Sequence, residues 1–340
     1  MTTLVTGATG FIGSHLARQL AERGDRVRVL VRQRSSLANL QGVEVEAVRG
    51  DLLEPESLRA LLRGCRKVFH VAADYRLWAR HPDEMYRTNV MGTRHLLQLA
   101  FEEGVETFVY TSSVATIAPP RDGEVSNEES LATLARMIGP YKRSKFLAEQ
   151  EALAMARKGL PVIIVNPTAP VGPGDIKPTP TGKMILDFLN RRMPAYVDTG
   201  LNWVAVEDVA AGHLLAADRG RVGERYILGH RNLTMKQILD ALEKLTGLPA
   251  PRVRLPHAVA MAAGYAENFL SCWLLRRPPR IPLDGVRMSK YKMFVDCSKA
   301  MRELGYAPTP VEDALARAVA WFCDAGYVRG SSSPQWRRAA

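Results

Sequence analysis

In the stretch GPYKRSKFLAEQ, Gly139 to Gln150, Tyr141 and Lys145 stand four residues apart. At i, i+4 on a helix their side chains share one face, about 5–6 Å apart at Cβ. A phenol one turn from an ammonium is a candidate proton carrier. Free tyrosine titrates near ~10, and bringing it to roughly 7 takes about 3 units, on the order of 4 kcal/mol. A nearby positive charge acts in that direction by favouring the ionised phenol. The ordinary alternative is a packed tyrosine beside a lysine whose stem covers apolar surface. Chemistry follows only if another part of the chain brings a reactive partner to the pair.

The stretch TGATGFIG, Thr6 to Gly13, meets that requirement. Gly7, Gly10 and Gly13 form G-x-x-G-x-x-G between a strand-like TTLVTG and a helical pattern from Phe11 to Arg23. Glycines so placed permit a tight turn, a close backbone approach to a pyrophosphate, and helix–strand contact. The helix start offers free N–H groups to the anion. A dinucleotide cofactor is therefore expected here.

The elements that must hold loop and pair together alternate regularly. TTLVTG, RVRVLV, VEVEAVRGD, KVFHVAA, TFVYTSS and PVIIVNP are six apolar runs between Thr2 and Asn166, separated by helical patterns. Buried parallel strands in an α/β, Rossmann-type doubly wound sheet are expected. Then NPTAPVGPGDIKPTPTG packs five prolines and three glycines into seventeen residues and reads as a long crossing loop. Helices are expected near Lys183–Arg192, over Val206–Arg219 and Met235–Thr246, and from Pro310 onward, with a strand at Arg225–Leu228. This predicts a nucleotide-binding unit from 1–168 and 202–228. A smaller, mostly C-terminal substrate-binding unit takes 169–201 and 229–330, and 331–340 forms a frayed tail.

Composition narrows the function classes. The 340 residues carry a net charge of +11, with 46 Lys and Arg against 35 Asp and Glu, which favours anionic ligands or surfaces. No helix-turn-helix, finger or RNA-binding aromatic signature accompanies the charge, so nucleic acid is not expected as a partner. Cys65, Cys272, Cys297 and Cys323 are scattered without a C-x-x-C pair, which argues against a disulfide framework or metal site. Met1 leads directly into a strand, leaving no room for a signal peptide, so the cytoplasm is the expected compartment.

TGATGFIGSHL together with Y-x-x-x-K resembles the extended branch of the short-chain dehydrogenase/reductase superfamily. RGDLLE, VFHVAA, NVMGTRHLL and NWVAVEDVAAGHLLA fit the same branch, in order, across most of residues 1–220. A closer resemblance is to hopanoid-associated sugar epimerases, through PYKRSKFLAE, NPTAPVGPGDIKPTPTGKMILDFLN and RPPRIPLDGVRMSKYKMFVDCSKA. Dihydroflavonol-4-reductases are a looser relative. The resemblance implies hydride transfer at a carbinol or ketone of a sugar-like or lipid-linked small molecule. Tyr141 would carry the proton, and Lys145 would lower its pKa and bond the nicotinamide ribose. A serine at the end of the strand in FVYTSSVAT would hold the substrate oxygen: Ser113 is favoured, with Ser112 beside it. It further implies cofactor contacts from Gly7, Thr9, Gly10, Phe11, Ile12 and Gly13, from Asp51 and Leu52 at the adenine, and from Ala72. Asn89 would steady the helix of Tyr141.

The choice of nicotinamide rests on the end of the second strand, VLVRQRSS. An acidic residue there bonds ribose hydroxyls in NAD-binding proteins, but Arg32 occupies the position. A guanidinium has no acceptor and suits a 2′-phosphate, so NADP is expected, with NAD the second choice. A non-catalytic redox sensor is the rival class, and the Tyr–Lys pair argues against it.

Other residues carry weaker signals. His15 reads as an ordinary helix residue and His70 as a satisfied core histidine. The apolar run His257–Leu275 contains Glu267 and Asn268 and is short for a membrane span. It is followed by Arg276, Arg277, Arg280, Arg287, Lys290 and Lys292 against one acid, Asp284. Such a segment suits peripheral contact with an anionic leaflet, here the inner face of the membrane. Packing into the core or against a second copy as a homodimer is the alternative.

Overall fold

A computed structural model describes residues 2–120 and 124–328. The expected terminal tail, 331–340, lies outside the described residues.

Seven strands form one parallel sheet in the order β10-β6-β5-β4-β1-β2-β3. They are β1 Thr2–Thr6, β2 Arg26–Val31, β3 Glu46–Arg49, β4 Cys65–His70, β5 Thr107–Thr111, β6 Val162–Pro167 and β10 Arg225–Leu228. All six residues of β6 are buried, as a strand covered on both faces requires. Helices α1 Phe11–Glu22, α7 Val206–Arg219 and α11 Ser298–Leu304 close one face, where Leu16, Leu20, Val209, Leu214 and Leu304 meet Val5, Val29 and Val109. Helices α2 Pro55–Leu62, α4 Gly92–Glu102 and α5 Gly139–Arg157 close the other, with Leu58, Leu61, Leu96 and Ala148 against Leu4, Val68 and Phe108. A short helix, α3 Pro82–Tyr86, leads into α4 through a π-helical turn at Arg87–Met91. The doubly wound sheet is thus as expected.

The proline-rich stretch is more ordered than its composition predicts. Ala169–Val171 forms a short strand, β7, parallel to β9 Gly200–Ala205. Pro170 is tolerated because β7 is an edge strand. Helix α6, Pro180–Leu189, begins within the stretch, three residues before the expected start. Thr179 caps it by accepting from the Gly182 N–H (3.1 Å), and Pro180 takes the first turn, where no N–H is needed.

A second sheet joins β11 Arg231–Thr234, β9 and β13 Lys292–Met293. The two-residue strands β8 Tyr196–Val197 and β12 Arg254–Leu255 pair beside it. Helices α8 Met235–Thr246, α9 His257–Asn268, α10 Leu283–Met288 and α12 Val311–Asp324 complete this part. β9 is the joint between the two cores. Val204 enters the core of the large sheet, while Trp203 and Ala205 enter the smaller one. Residues 202–205, expected in the nucleotide-binding unit, pair in the second sheet.

Candidate active site

The loop after β1 is built around the carbonyl of Gly7. Gly7 has φ +73°, and a Cβ on it would stand 2.6 Å from the Ala72 nitrogen. The backbone at Val71 and Ala72, just past the neighbouring strand β4, therefore leaves no room for a side chain. A Cβ at Gly13 would lie 2.2 Å from the Gly7 oxygen, so helix α1 packs directly on the turn. Gly10 is the N-cap of α1, and its N–H donates to that same oxygen (2.9 Å). The first turn of α1 has no capping side chain and no acidic residue. A pyrophosphate fits such a helix start without displacing a built-in partner.

Ser113 and Tyr141 meet at the end of β5. Tyr141 lies in the first turn of α5, which opens with Gly139 at φ +75° and Pro140. A Cβ on Gly139 would stand 2.4 Å from the Asp284 carboxylate, so α10 presses on the start of this helix. Burial pushes the Tyr141 phenol above its ordinary value, and a hydrogen bond with Ser113 opposes that push. Lys145 points into β5, donating to the Thr111 carbonyl (2.7 Å) and the Tyr110 hydroxyl (3.0 Å). It is buried, and burial brings its ammonium down to about 7, against an opposing pull from Glu149.

Ser112 and Ser113 separate cleanly. Ser112 is buried and donates to Glu149, whose carboxylate also accepts from Thr116 Oγ1 (2.8 Å) and Asn166 Nδ2 (3.0 Å). Arg225 reaches the other oxygen of Glu149 at 3.4 Å. Ser113 accepts from the Ala115 N–H (3.1 Å) and turns towards Tyr141. Glu149, Thr116, Asn166 and Arg225 form a base that the sequence reading missed. Tyr141, Lys145 and Glu149 recur at i, i+4, i+8 on one helical face, and that spacing was the available signal. Asn166 and Arg225 meet Glu149 only through strand order.

Asn89 lies in the π-helical turn, a frequent device at functional sites. Its amide accepts from the Asp74 N–H (2.7 Å) and donates to the Asp74 carbonyl (2.9 Å) and Ser144 Oγ (3.0 Å). It thereby ties α5 to the loop after β4. His70 is buried, with its ring nitrogens 2.7 Å from Thr6 Oγ1 and 2.8 Å from Thr93 Oγ1. Burial, with Lys145 nearby, brings it down to about 3, so it is a neutral spacer under the loop. His15 bonds the Pro173 carbonyl (2.9 Å), a structural contact.

The remaining expected cofactor residues ring the same edge of the sheet. Arg32 directly follows β2 with an exposed side chain, and neither it nor Arg34 is paired with a carboxylate among the described residues. Asp51 turns its carboxylate inward to the Leu53 N–H (2.9 Å), while Leu52 is buried against Gly92. Ala72 receives the close approach of Gly7, and Thr9 gives its carbonyl to Asn39 (3.4 Å). Phe11 is buried under α1, and Ile12 is partly buried beside it.

Comparison with known proteins gives one answer about kinship. Residues 3–229 match the model of the NAD dependent epimerase/dehydratase family. The chain is 48% identical over 329 residues to a putative dihydroflavonol 4-reductase of Synechocystis, covering 96% of this chain and 95% of that one. It is 39% identical over 329 residues to sterol demethylase protein B of Methylococcus capsulatus, covering 96% and 100%. Among solved structures, a nucleoside-diphosphate-sugar epimerase from Pseudomonas aeruginosa superposes with a TM-score of 0.81 at 28% identity, covering 96% and 99%.

Proposed function

This chain belongs to the NAD dependent epimerase/dehydratase family, and on that premise we propose that it is an NADP(H)-using oxidoreductase of a carbinol or ketone. The observation that carries the reading is the meeting of Ser113 and Tyr141 at the end of β5, beside the three-glycine loop. When bound, the nicotinamide ring would accept or donate hydride. Ser113 then holds the substrate oxygen, and Tyr141 gives or takes the proton at that oxygen. Glu149 occupies Ser112, so Ser113 alone is left for the substrate. Lys145 fixes the tyrosine helix on β5 and lies one turn from the phenol. Gly7, Thr9, Gly10, Phe11, Ile12 and Gly13 would cradle the pyrophosphate, with Asp51, Leu52 and Ala72 along the adenosine and ring. Arg32, unpaired at the end of β2, would take a 2′-phosphate; this distinguishes the chain from the NAD use its family is named for.

The substrate class proposed is a sugar-like or polycyclic, hopanoid-type lipid ketone. The name of the Synechocystis relative, a putative dihydroflavonol 4-reductase, supports net reduction, and that of the Methylococcus relative, a sterol demethylase protein, supports a polycyclic substrate. The Pseudomonas epimerase supports the second reading, in which the ketone stays bound, turns its face and is reduced again. Deuterated NADPH with polycyclic ketones, and NADP with sugar-nucleotide carbinols, test the two readings. A reductase transfers label to product with matching loss of NADPH, and an epimerase inverts its substrate without net loss of cofactor. Absence of both label transfer and inversion overturns the hydride reading. In the same assay Arg32→Asp raises the NADPH KM about tenfold or more and leaves that for NADH equal or lower. An unchanged ratio overturns the NADP assignment.

A further inference from the structure

No helix among the described residues is long and apolar enough to cross a membrane, yet one element of the smaller part is apolar on its outside. Helix α9 buries only Ala260 and Gly264, the latter against Leu283 and Val286 of α10. The chain then winds into a π-helical turn, Phe269–Leu274, that buries only Ser271. Trp273 is 81% exposed, Leu274 71% and Phe269 66%, with Leu270 and Leu275 also in water. The rings of Phe269 and Trp273 stack with centroids 6.1 Å apart, forming one continuous ridge. A ridge of this kind marks a contact the monomer does not make.

Charge identifies the occupant. From Arg276 to Lys292 the sequence carries six cations and one acid, and in the fold Lys292 pairs with Asp198 (3.2 Å). Asp284 pairs with Arg287, and Arg277 lies 3.9 Å from Glu267. Arg276, Arg280 and Lys290 have no carboxylate at ion-pair distance among the described residues. At the root of the ridge is a cavity of about 340 Å³ lined by Trp78, Arg80, Asn268, Cys272, Arg276 and Arg277. Three guanidiniums and an indole around such a space suit a phosphate head group, which arginine binds through paired hydrogen bonds. Aromatic and leucine side chains beside an arginine cluster are the pattern of an element lying in a bilayer interface. A second copy would bring the same cations against themselves. We propose that the ridge Phe269–Leu275, with Arg276, Arg277 and Arg280, docks this protein on an anionic bilayer. Through Asp284, packed against Gly139, the docked element touches the start of the helix that carries Tyr141. The proposal requires neither the cofactor nor the reaction proposed above.

Flotation with phosphatidylcholine vesicles, with and without phosphatidylglycerol, tests it on the full chain. Wild type floats with the anionic vesicles at low salt and is released at high salt. Each cation at an anionic surface contributes a factor of about five, so Arg276→Glu/Arg280→Glu loses roughly thirtyfold or more. Trp273→Ser/Leu274→Ser loses binding to the same vesicles with its melting temperature retained. Reduction of a soluble ketone, or of NADP by its alcohol, stays at the wild-type rate in both variants. Failure of folded wild type to float at low salt, or flotation unchanged in both variants, overturns the proposal. So does a dimer in sedimentation that Trp273→Ser dissociates while wild type fails to float, because a second copy then covers the ridge.

Discussion

Beneath Ser113, the buried carboxylate of Glu149 accepts from four side-chain donors, while at residues 269–275 large apolar groups stand in water. A buried carboxylate is tolerated only when its lone pairs are taken, so the first arrangement is held by its own cost of disruption. The second has no such internal demand. Its side chains gain little from the rest of the monomer, and their positions are set by what covers them. The two regions therefore differ in what a substitution measures: in the base it reads the fold and the chemistry, and in the ridge it reads an external contact.

The sharpest test of the first region is Tyr141→Phe, which removes one oxygen. Turnover is expected to fall by about 10²–10⁴-fold with NADPH affinity nearly unchanged, measured by steady-state rates and cofactor titration. Retained turnover would remove the proton-carrier role. Gly13→Ala comes next. Its Cβ would stand 2.2 Å from the Gly7 oxygen, backbone against backbone, and a loss of about 3 kcal/mol in urea unfolding is expected, with weakened cofactor binding.

Lys145→Met separates structure from function in the base. Burial holds Lys145 at about 7 and Lys142 at about 8, both below the ordinary 10.5. Between those values and the unfolded pKa the unfolded chain binds more protons, so cofactor-free stability rises as pH increases from 7 towards 10. The methionine variant is expected to flatten that rise without removing it, because Lys142 remains. Near pH 7 it should be inactive, having lost the bonds from Lys145 to the Thr111 carbonyl and the Tyr110 hydroxyl. A rise as steep as that of wild type would show Lys145 to be charged or solvated in the folded chain. The smallest effect belongs to the ridge: Trp273→Ser should change stability by less than about 0.5 kcal/mol in the same titration. A larger loss would make the ridge part of the core and erase the contrast.

The sheet was legible in the sequence because its strands are uninterrupted apolar runs between helical patterns, and β10 and α7 appear at their expected residues. Tyr141, Lys145 and the glycines were legible because one helical turn and one tight loop fix them locally. Asn166 and Arg225 were not, since they approach Glu149 only after β6 and β10 have been placed side by side. The strand Ala169–Val171 was hidden by Pro170, whose missing N–H is harmless at an edge. Spacing puts two side chains on one face but leaves χ angles free, and here the lysine turns to β5.

Gly139 carries a consequence for anyone exchanging substrate-binding parts between relatives. The space a methyl group would occupy there is filled by the carboxylate of Asp284, so residues 139 and 284 are one joint contributed by two distant pieces of sequence. A graft of 257–292 with a longer side chain at 284 would lever against the first turn of α5 and shift the phenol. The two positions have to be transplanted together, and a chimera that respects only the boundary in the sequence inherits a misaligned tyrosine.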